Sequence, residues 1–243
     1  MNATATAGNG RPEGAVRVLI WDLPVRVFHW ALVVSFAGAY WLSETERLRD
    51  IHVMFGYTVL GLVAFRLIWG FVGTRYARFR SFLFSPREAL DYVQSLFRRS
   101  DPRYLGHNPA GSFAIWAILG VAALTGITGY ATYNEIGGDA VEEAHEILAN
   151  GWLWLVGIHI GGVILGSLLH RENLVGAMIT GHKRAEAGTG IRGRFAAIIG
   201  VALLSGVLGY WALSVGGPGA PAGASAAPEP VTLAARRGNE DED

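Results

Sequence analysis

The sequence predicts an all-α integral membrane protein, and three observations carry that prediction. Of 243 residues, 51% are hydrophobic and only 16% charged, well below the roughly 25% charged share of an average soluble protein. The mean hydropathy is +0.31. Five stretches are long and apolar enough to cross about 30 Å of hydrocarbon, which takes about 20 residues in a helix. The 20 Lys and Arg balance the 20 Asp and Glu, so no basic excess marks a nucleic-acid partner. With no cysteine in the chain, disulfides, thiolate zinc sites, iron–sulfur clusters and covalently attached haem are excluded. Any redox chemistry then falls to histidine, carboxylate or a bound cofactor.

The elements follow in order. Residues 1–15 are small and polar with no apolar run, so they read as a flexible N-terminus and not as a cleavable signal. The expected spans are Val27–Leu42, Ile51–Val72, Ser112–Tyr133, Ala144–Leu169 and Phe195–Val215. Between the second and third, Ser85-Pro86-Arg87-Glu88 has the form of a capping box with proline at the first helical position. Leu90, Val93 and Phe97 recur at helical spacing after it, predicting a short helix along the membrane surface or a solvated loop helix. The segment 216–243 is Gly/Pro/Ala-rich and ends in acidic Asn-Glu-Asp-Glu-Asp, a composition of disorder.

Basic residues set the orientation. Arg11, Arg17 and Arg26 precede or open the first span; Arg75, Arg78, Arg80, Arg87, Arg98, Arg99 and Arg103 fill the second loop; Arg171, Lys183, Arg184, Arg192 and Arg194 fill the fourth. The opposite side carries Arg47, Arg49, Arg236 and Arg237 among acidic residues such as Glu44, Asp50, Asp139 and Glu142. The N-terminus is therefore expected in the cytoplasm and the C-terminus outside. Trp30, Tyr40, Trp41, Trp69, Tyr130, Tyr133 and Trp211 near span ends fit an interfacial belt.

Four of the seven histidines fall inside spans: His29 in the first, His52 in the second, His145 and His159 in the fourth. Ionisable groups at membrane depth are costly and mark function, although any one histidine alone can be a satisfied packing residue. His145 and His159 are fourteen residues apart, about 21 Å along a helix and just under four turns, so both project from nearly one face. The span directions put His29 and His159 at cytoplasmic depth and His52 and His145 at periplasmic depth. Paired histidines at equal depth suit bis-imidazole haem, whose filled axial positions favour electron transfer; zinc would need a third ligand at each depth. Arg66 follows His52 by the same fourteen residues and reaches the cytoplasmic pair. There it would pair with a haem propionate, or else snorkel to the headgroups. Gly56, Gly61, Gly120, Gly126, Gly129, Gly157, Gly161 and Gly162 crowd the same helices. Such glycines admit either a flat macrocycle or a close helix neighbour.

These residues form a recognisable series: Trp21-Asp22-x-Pro24-x-Arg26-x-Phe28-His29-Trp30, Ile51-His52-x-x-x-Gly56-Tyr57, Phe65-Arg66-Leu67-x-Trp69-Gly70, Gly106-His107-Asn108-Pro109, Glu143-x-His145-Glu146-x-x-Ala149-Asn150, His159-x-Gly161-Gly162-Val163 and Met178-x-Thr180-Gly181-x-Lys183-Arg184. Over about residues 15–190 the chain resembles the bacterial di-haem cytochrome b family, the membrane b subunits of nickel–iron hydrogenases and formate dehydrogenases together with stand-alone bacterial cytochromes b. The resemblance implies a transmembrane four-helix haem-binding bundle over residues 16–190. A fifth C-terminal transmembrane helix (191–215) and a periplasmic tail are added to it here. It also implies two non-covalent haem b groups on His29, His159, His52 and His145, in the bacterial inner membrane, exchanging electrons with quinone.

By the same resemblance quinone belongs near the cytoplasmic haem, where Trp30, Arg26, His107 and Asn108 are the polar and aromatic candidates; His107 also reads as an ordinary loop histidine. His170 and His182, among basic residues after the fourth span, read as headgroup contacts. The expected function is electron transfer between a periplasmic redox partner or oxidoreductase subunit and the quinone pool, by a cytochrome subunit more than by a stand-alone enzyme. Two other readings remain: a haem-free membrane anchor or transporter subunit, and a superoxide–quinone oxidoreductase built on the same haem core.

Overall fold

The structure, a computed structural model, describes residues 14–97 and 104–216. Its elements in order are β1 (Val16–Leu19), α1 (Leu23–Leu42), a 3-10 turn (Glu46–Leu48), α2 (Arg49–Val72), a second 3-10 turn (Phe79–Ser81), α3 (Pro86–Phe97), α4 (Pro109–Tyr133), α5 (Gly138–Leu169), α6 (Leu174–Thr180), β2 (His182–Ala185) and α7 (Arg194–Gly216). Five helices are long and apolar enough to cross a membrane, matching the five expected spans with earlier starts. The reason for the early starts is visible at the caps. Asp22 accepts from Val25 N at the head of α1, and Asn108 accepts from Gly111 N at the head of α4, each followed by proline in the first turn.

α1, α2, α4 and α5 form the bundle. α2 packs on α1 and α4, α4 packs on α5, and α7 lies outside against α1. α2 is the central helix. Its buried residues Met54, Thr58, Val59, Leu62, Val63, Arg66, Trp69 and Gly70 recur at three- and four-residue spacing and form one inward stripe. α5 is the opposite case: over 32 residues it buries only Trp152 and Gly166. α5 is joined to α1 by side chains, Tyr40 Oη donating to Asn150 Oδ1 (2.9 Å) and Phe36 lying on Trp152 (4.3 Å between ring centres). Outward apolar side chains such as Phe71, Trp154, Ile158 and Leu168 stay exposed, as a lipid-facing belt requires and a water-facing surface would not.

The end of the bundle expected in the cytoplasm is closed by an assembly of short elements. β1 and β2 pair antiparallel, Val16 opposite Ala185 and Leu19 opposite His182. Gly181 turns the chain into β2 at φ +81°, and its carbonyl accepts from Ile20 N and Trp21 N. A Cβ there would stand 2.6 Å from Trp21 O, so the turn requires glycine on two counts. Asp22, 1% exposed, accepts from Trp69 Nε1 (3.1 Å) and Thr74 Oγ1 (2.6 Å) as well as from its cap, tying α1 to the end of α2. The capping box at α3 forms as expected, Ser85 N donating to Glu88 Oε2 (2.7 Å) and Glu88 N to Ser85 Oγ (3.2 Å). The Ser85 bonds hold the Glu88 carboxyl below its usual range. α3 sinks Tyr92 into the protein and turns Leu90 and Val93 outward. Arg11, Arg98, Arg99, Arg103, Arg236, Arg237 and the tail beyond residue 216 lie outside the described residues.

Candidate functional site

The four in-membrane histidines come together as two pairs. At the level expected to be periplasmic, His52 of α2 faces His145 of α5 with ring centres 6.3 Å apart and ring planes at 85°. His52 Nδ1 lies 2.8 Å from Ala39 O, and His145 Nδ1 lies 3.0 Å from Thr125 O with Thr128 Oγ1 at 3.2 Å. A carbonyl only accepts, so each Nδ1 carries the proton and each Nε2 is left with a free lone pair. That is the tautomer of a metal-ligating imidazole with its other nitrogen fixed by backbone. The spacing also fits. Two metal–imidazole bonds of roughly 2 Å, plus about 1.1 Å from nitrogen to ring centre on each side, put the centres about 6 Å apart.

Gly129 makes room for this pair: a Cβ there would stand 2.8 Å from His145 Cε1 and 3.2 Å from its Nδ1. The glycines of the bundle divide into two kinds. Gly126 and Gly129 are pressed by neighbouring side chains, whereas a Cβ at Gly56, Gly61, Gly120, Gly157, Gly161 or Gly162 would meet nothing within 4 Å. Gly56 lies one turn from His52 and Gly162 nearly one turn from His159; Gly157, Gly161 and Gly162 are exposed.

The second pair is His29 of α1 and His159 of α5, close enough for their charges to interact. His29 Nδ1 is buried with no hydrogen-bond partner, and the ring edge meets Trp30 at 5.0 Å. Arg66 belongs to this level. It is 3% exposed, so it points inward and does not snorkel; its guanidinium sits over Phe79 (4.9 Å) and Phe82 (5.7 Å), and Nη1 has no acceptor. A buried guanidinium with an unmet donor fits a carboxylate-bearing group such as haem. His107 is near both Arg66 and His159. Its ring lies between Trp21 (4.6 Å) and Phe82 (4.5 Å), and its Nδ1 is shut away unpartnered. Burial first, then the charges of Arg66, Lys183 and His159, push its pKa down to about 3.

The four candidate quinone residues do not form one site. Arg26 and Trp30 line a cleft of about 310 Å³ between α1 and α7, with Val27, Val34, Leu204, Leu208 and Trp211 among its other walls. Arg26 Nη2 donates to the Ile179 carbonyl across it. His107 is instead packed inside the bundle end, and the Asn108 side chain is engaged as the α4 cap. His170 caps α5, its Nε2 3.0 Å from Tyr92 Oη, and His182 is exposed with Nδ1 2.8 Å from Thr180 O.

Thr125 and Trp152 were not among the expectations, and Gly129 and Asp22 were named without these roles: Thr125 and Gly129 orient His145, Asp22 anchors the bundle end, and Trp152 is the one large side chain that α5 buries. Trp152 had a usable signal, since it stands seven residues from each α5 histidine.

Comparison with known proteins gives the family. The family model described as prokaryotic cytochrome b561 matches residues 20–181, a span holding all four histidines and Arg66. The chain is 26% identical over 213 residues to the probable Ni/Fe-hydrogenase B-type cytochrome subunit of Rhodobacter capsulatus, covering 68% of this chain and 81% of that one. The protein of that same name from Bradyrhizobium diazoefficiens is 22% identical, covering 74% of this chain and 91% of its own. The probable Ni/Fe-hydrogenase 1 B-type cytochrome subunit of Escherichia coli K12 is also 22% identical, covering 73% and 95%. No solved structure gives a significant match. A helical bundle crossing the membrane five times, with histidines facing one another inside it, is thus matched by family over most of its length: the chain belongs to the prokaryotic cytochrome b561 family, the b-type cytochromes of bacterial membranes.

Proposed function

We propose that this chain is a di-haem b-type electron carrier, moving electrons across the inner membrane between a periplasmic redox partner and the quinone pool. The observation that carries the reading is the His52–His145 pair, with ring centres 6.3 Å apart and both Nδ1 atoms turned to backbone carbonyls. His29 and His159 would hold the second haem, and Arg66 would meet its propionate. Haem held by His52 with His145 and by His29 with His159 would supply a one-electron couple suited to electron transfer. The protein's own part is orientation and exclusion. Ala39 and Thr125 carbonyls fix the imidazole tautomers, Gly129 gives His145 its place, and the apolar core between the levels keeps water out.

The quinone would bind in the α1–α7 cleft. Trp30 supports this, because its indole forms the cleft wall on one side and meets the His29 ring edge on the other. Arg26 would give the headgroup a donor, and the α7 side chains Leu204 and Leu208 would hold the tail. The cation-rich loops support a cytoplasmic N-terminus in this reading, and the haem core would span residues 16–190. The relatives' names make a nickel–iron hydrogenase the first periplasmic partner to test.

The experiment is single replacement of each histidine by alanine, with haem b counted per purified chain. His52→Ala and His145→Ala should each lower the count from two to one and remove the same spectral component; His29→Ala and His159→Ala should remove the other. Loss of both haems from a chain that still folds, in either set, would contradict the pairing.

A further inference from the structure

The bundle interior is built in three layers, and the residues of the middle one are apolar, between the two histidine levels. Seven residues after His29 on α1 comes Phe36; seven after His52 on α2 comes Val59; Trp152 stands seven after His145 and seven before His159 on α5. Seven residues are nearly two full turns, so each middle residue shares its histidine's face about 10 Å along the axis. The three middle residues pack in one apolar cluster. Trp152 is 3% exposed, its ring lies on Phe36 at 4.3 Å and 40°, and its Nε1 is buried without an acceptor. An unpaired indole N–H in the middle of a membrane bundle is unfavourable. Leucine or phenylalanine would fill an apolar layer without that cost. Trp152 is the one large side chain that α5 buries, with Val156 only partly buried against the same cluster.

We propose that Trp152 is the bridging residue of the electron path, the ring that couples the two redox levels through its contact with Phe36. The inference rests on the two-haem reading. In that reading an electron given up at the level of His52 and His145 would be taken up at the level of His29 and His159, or the reverse. The indole neither gains nor loses an electron, and no proton moves. Trp152 contacts none of the four histidines and would act as a positioning residue, its ring and that of Phe36 forming the aromatic contact in the layer between the two levels.

The test uses the full chain in proteoliposomes. A photo-excited donor confined to one face reduces the nearer haem, and the arrival of the electron at the farther one is followed at its own visible band. Haem count and both midpoint potentials are measured alongside. W152L should keep two haems and both potentials while the transfer slows several-fold, and W152F should stay near the parent. W152L at the parent rate with two haems overturns the proposal. If W152L loses haem, F36L carries the same test from α1: slowed transfer supports the bridge, and an unchanged rate overturns it. Loss of haem from both variants would mark the layer as packing only and also overturns it. A parent chain without two haems would instead sink the two-haem reading.

Discussion

Replacing Gly129 by alanine tests how tightly His145 is placed. The new Cβ would stand 2.8 Å from His145 Cε1, 3.2 Å from Nδ1 and 3.5 Å from Nε2. Ordinary carbon contacts begin at roughly 3.5 Å, so the imidazole must retreat by about half an ångström or more. It cannot do so freely, because Nδ1 is bonded to Thr125 O at 3.0 Å and the ring faces His52 at 6.3 Å. Overpacking of this kind costs about 1–3 kcal/mol, and disturbing the partner that orients a metal ligand typically costs about 10–100-fold in affinity. Gly129→Ala should therefore hold the haem at His52 and His145 about one to two orders of magnitude more weakly, with the other haem unaffected. The assay is haem b per chain after prolonged detergent washing, with a redox titration of what remains. Gly209→Ala is the control, since a Cβ at Gly209 meets nothing within 4 Å. A Gly129→Ala chain that keeps its haem content and potentials unchanged would refute the reasoning, as would one that first loses haem at the level of His29 and His159.

Further outcomes follow from the other residues. Arg66→Gln removes the buried cation near His29 and His159; the midpoint potential of that centre should fall, since the oxidised form loses a repelling charge, while the His52–His145 centre stays put in the same titration. Leu208→Trp fills the α1–α7 cleft and should raise KM for a long-tailed quinone with little change in kcat, leaving a short-tailed analogue unaffected; equal effects on both would place the tail elsewhere. His107 has a folded pKa of about 3 against about 6.5 unfolded, so the unfolded chain binds the extra proton. Stability should fall as pH drops from about 6.5 toward 3, at up to about 1.4 kcal/mol per unit. His107→Phe should flatten that part of a Tm-against-pH curve, and an unaltered curve would exclude His107 as its source.

The spans were legible because a bilayer sets their length and composition. The cap of α3 was legible because Ser85 is followed by Pro86 and Glu88, whereas the Asp22 and Asn108 caps, which start α1 and α4 earlier than expected, were not read. The histidine levels were legible because helical rise converts sequence spacing into depth, and His52 with His145 meet as that arithmetic expects. The β1–β2 pair was not foreseen. Two four-residue strands far apart in the chain carry too little alternation to announce themselves, and Arg17 falls opposite Arg184. Sequence distance also misled on the quinone candidates. His107 and Asn108 lie near the bundle end in the chain's order, yet one is wedged between Trp21 and Phe82 and the other is spent on a cap. The role of α7 as a cleft wall depends on tertiary packing against α1 that no periodicity reports. Trp152 carried a spacing signal, seven residues from each α5 histidine, but its contact with Phe36 is visible only once its neighbours are known.

The most direct measurement is the haem b content of the purified full chain, together with its low-temperature electron paramagnetic resonance spectrum during a redox titration. Two haems per chain, both low-spin with two axial imidazoles and titrating as two separate one-electron steps, is the result predicted by the paired levels at His52–His145 and His29–His159. A single haem, a high-spin signal from an iron with an open position, or a chain that folds without haem would contradict it.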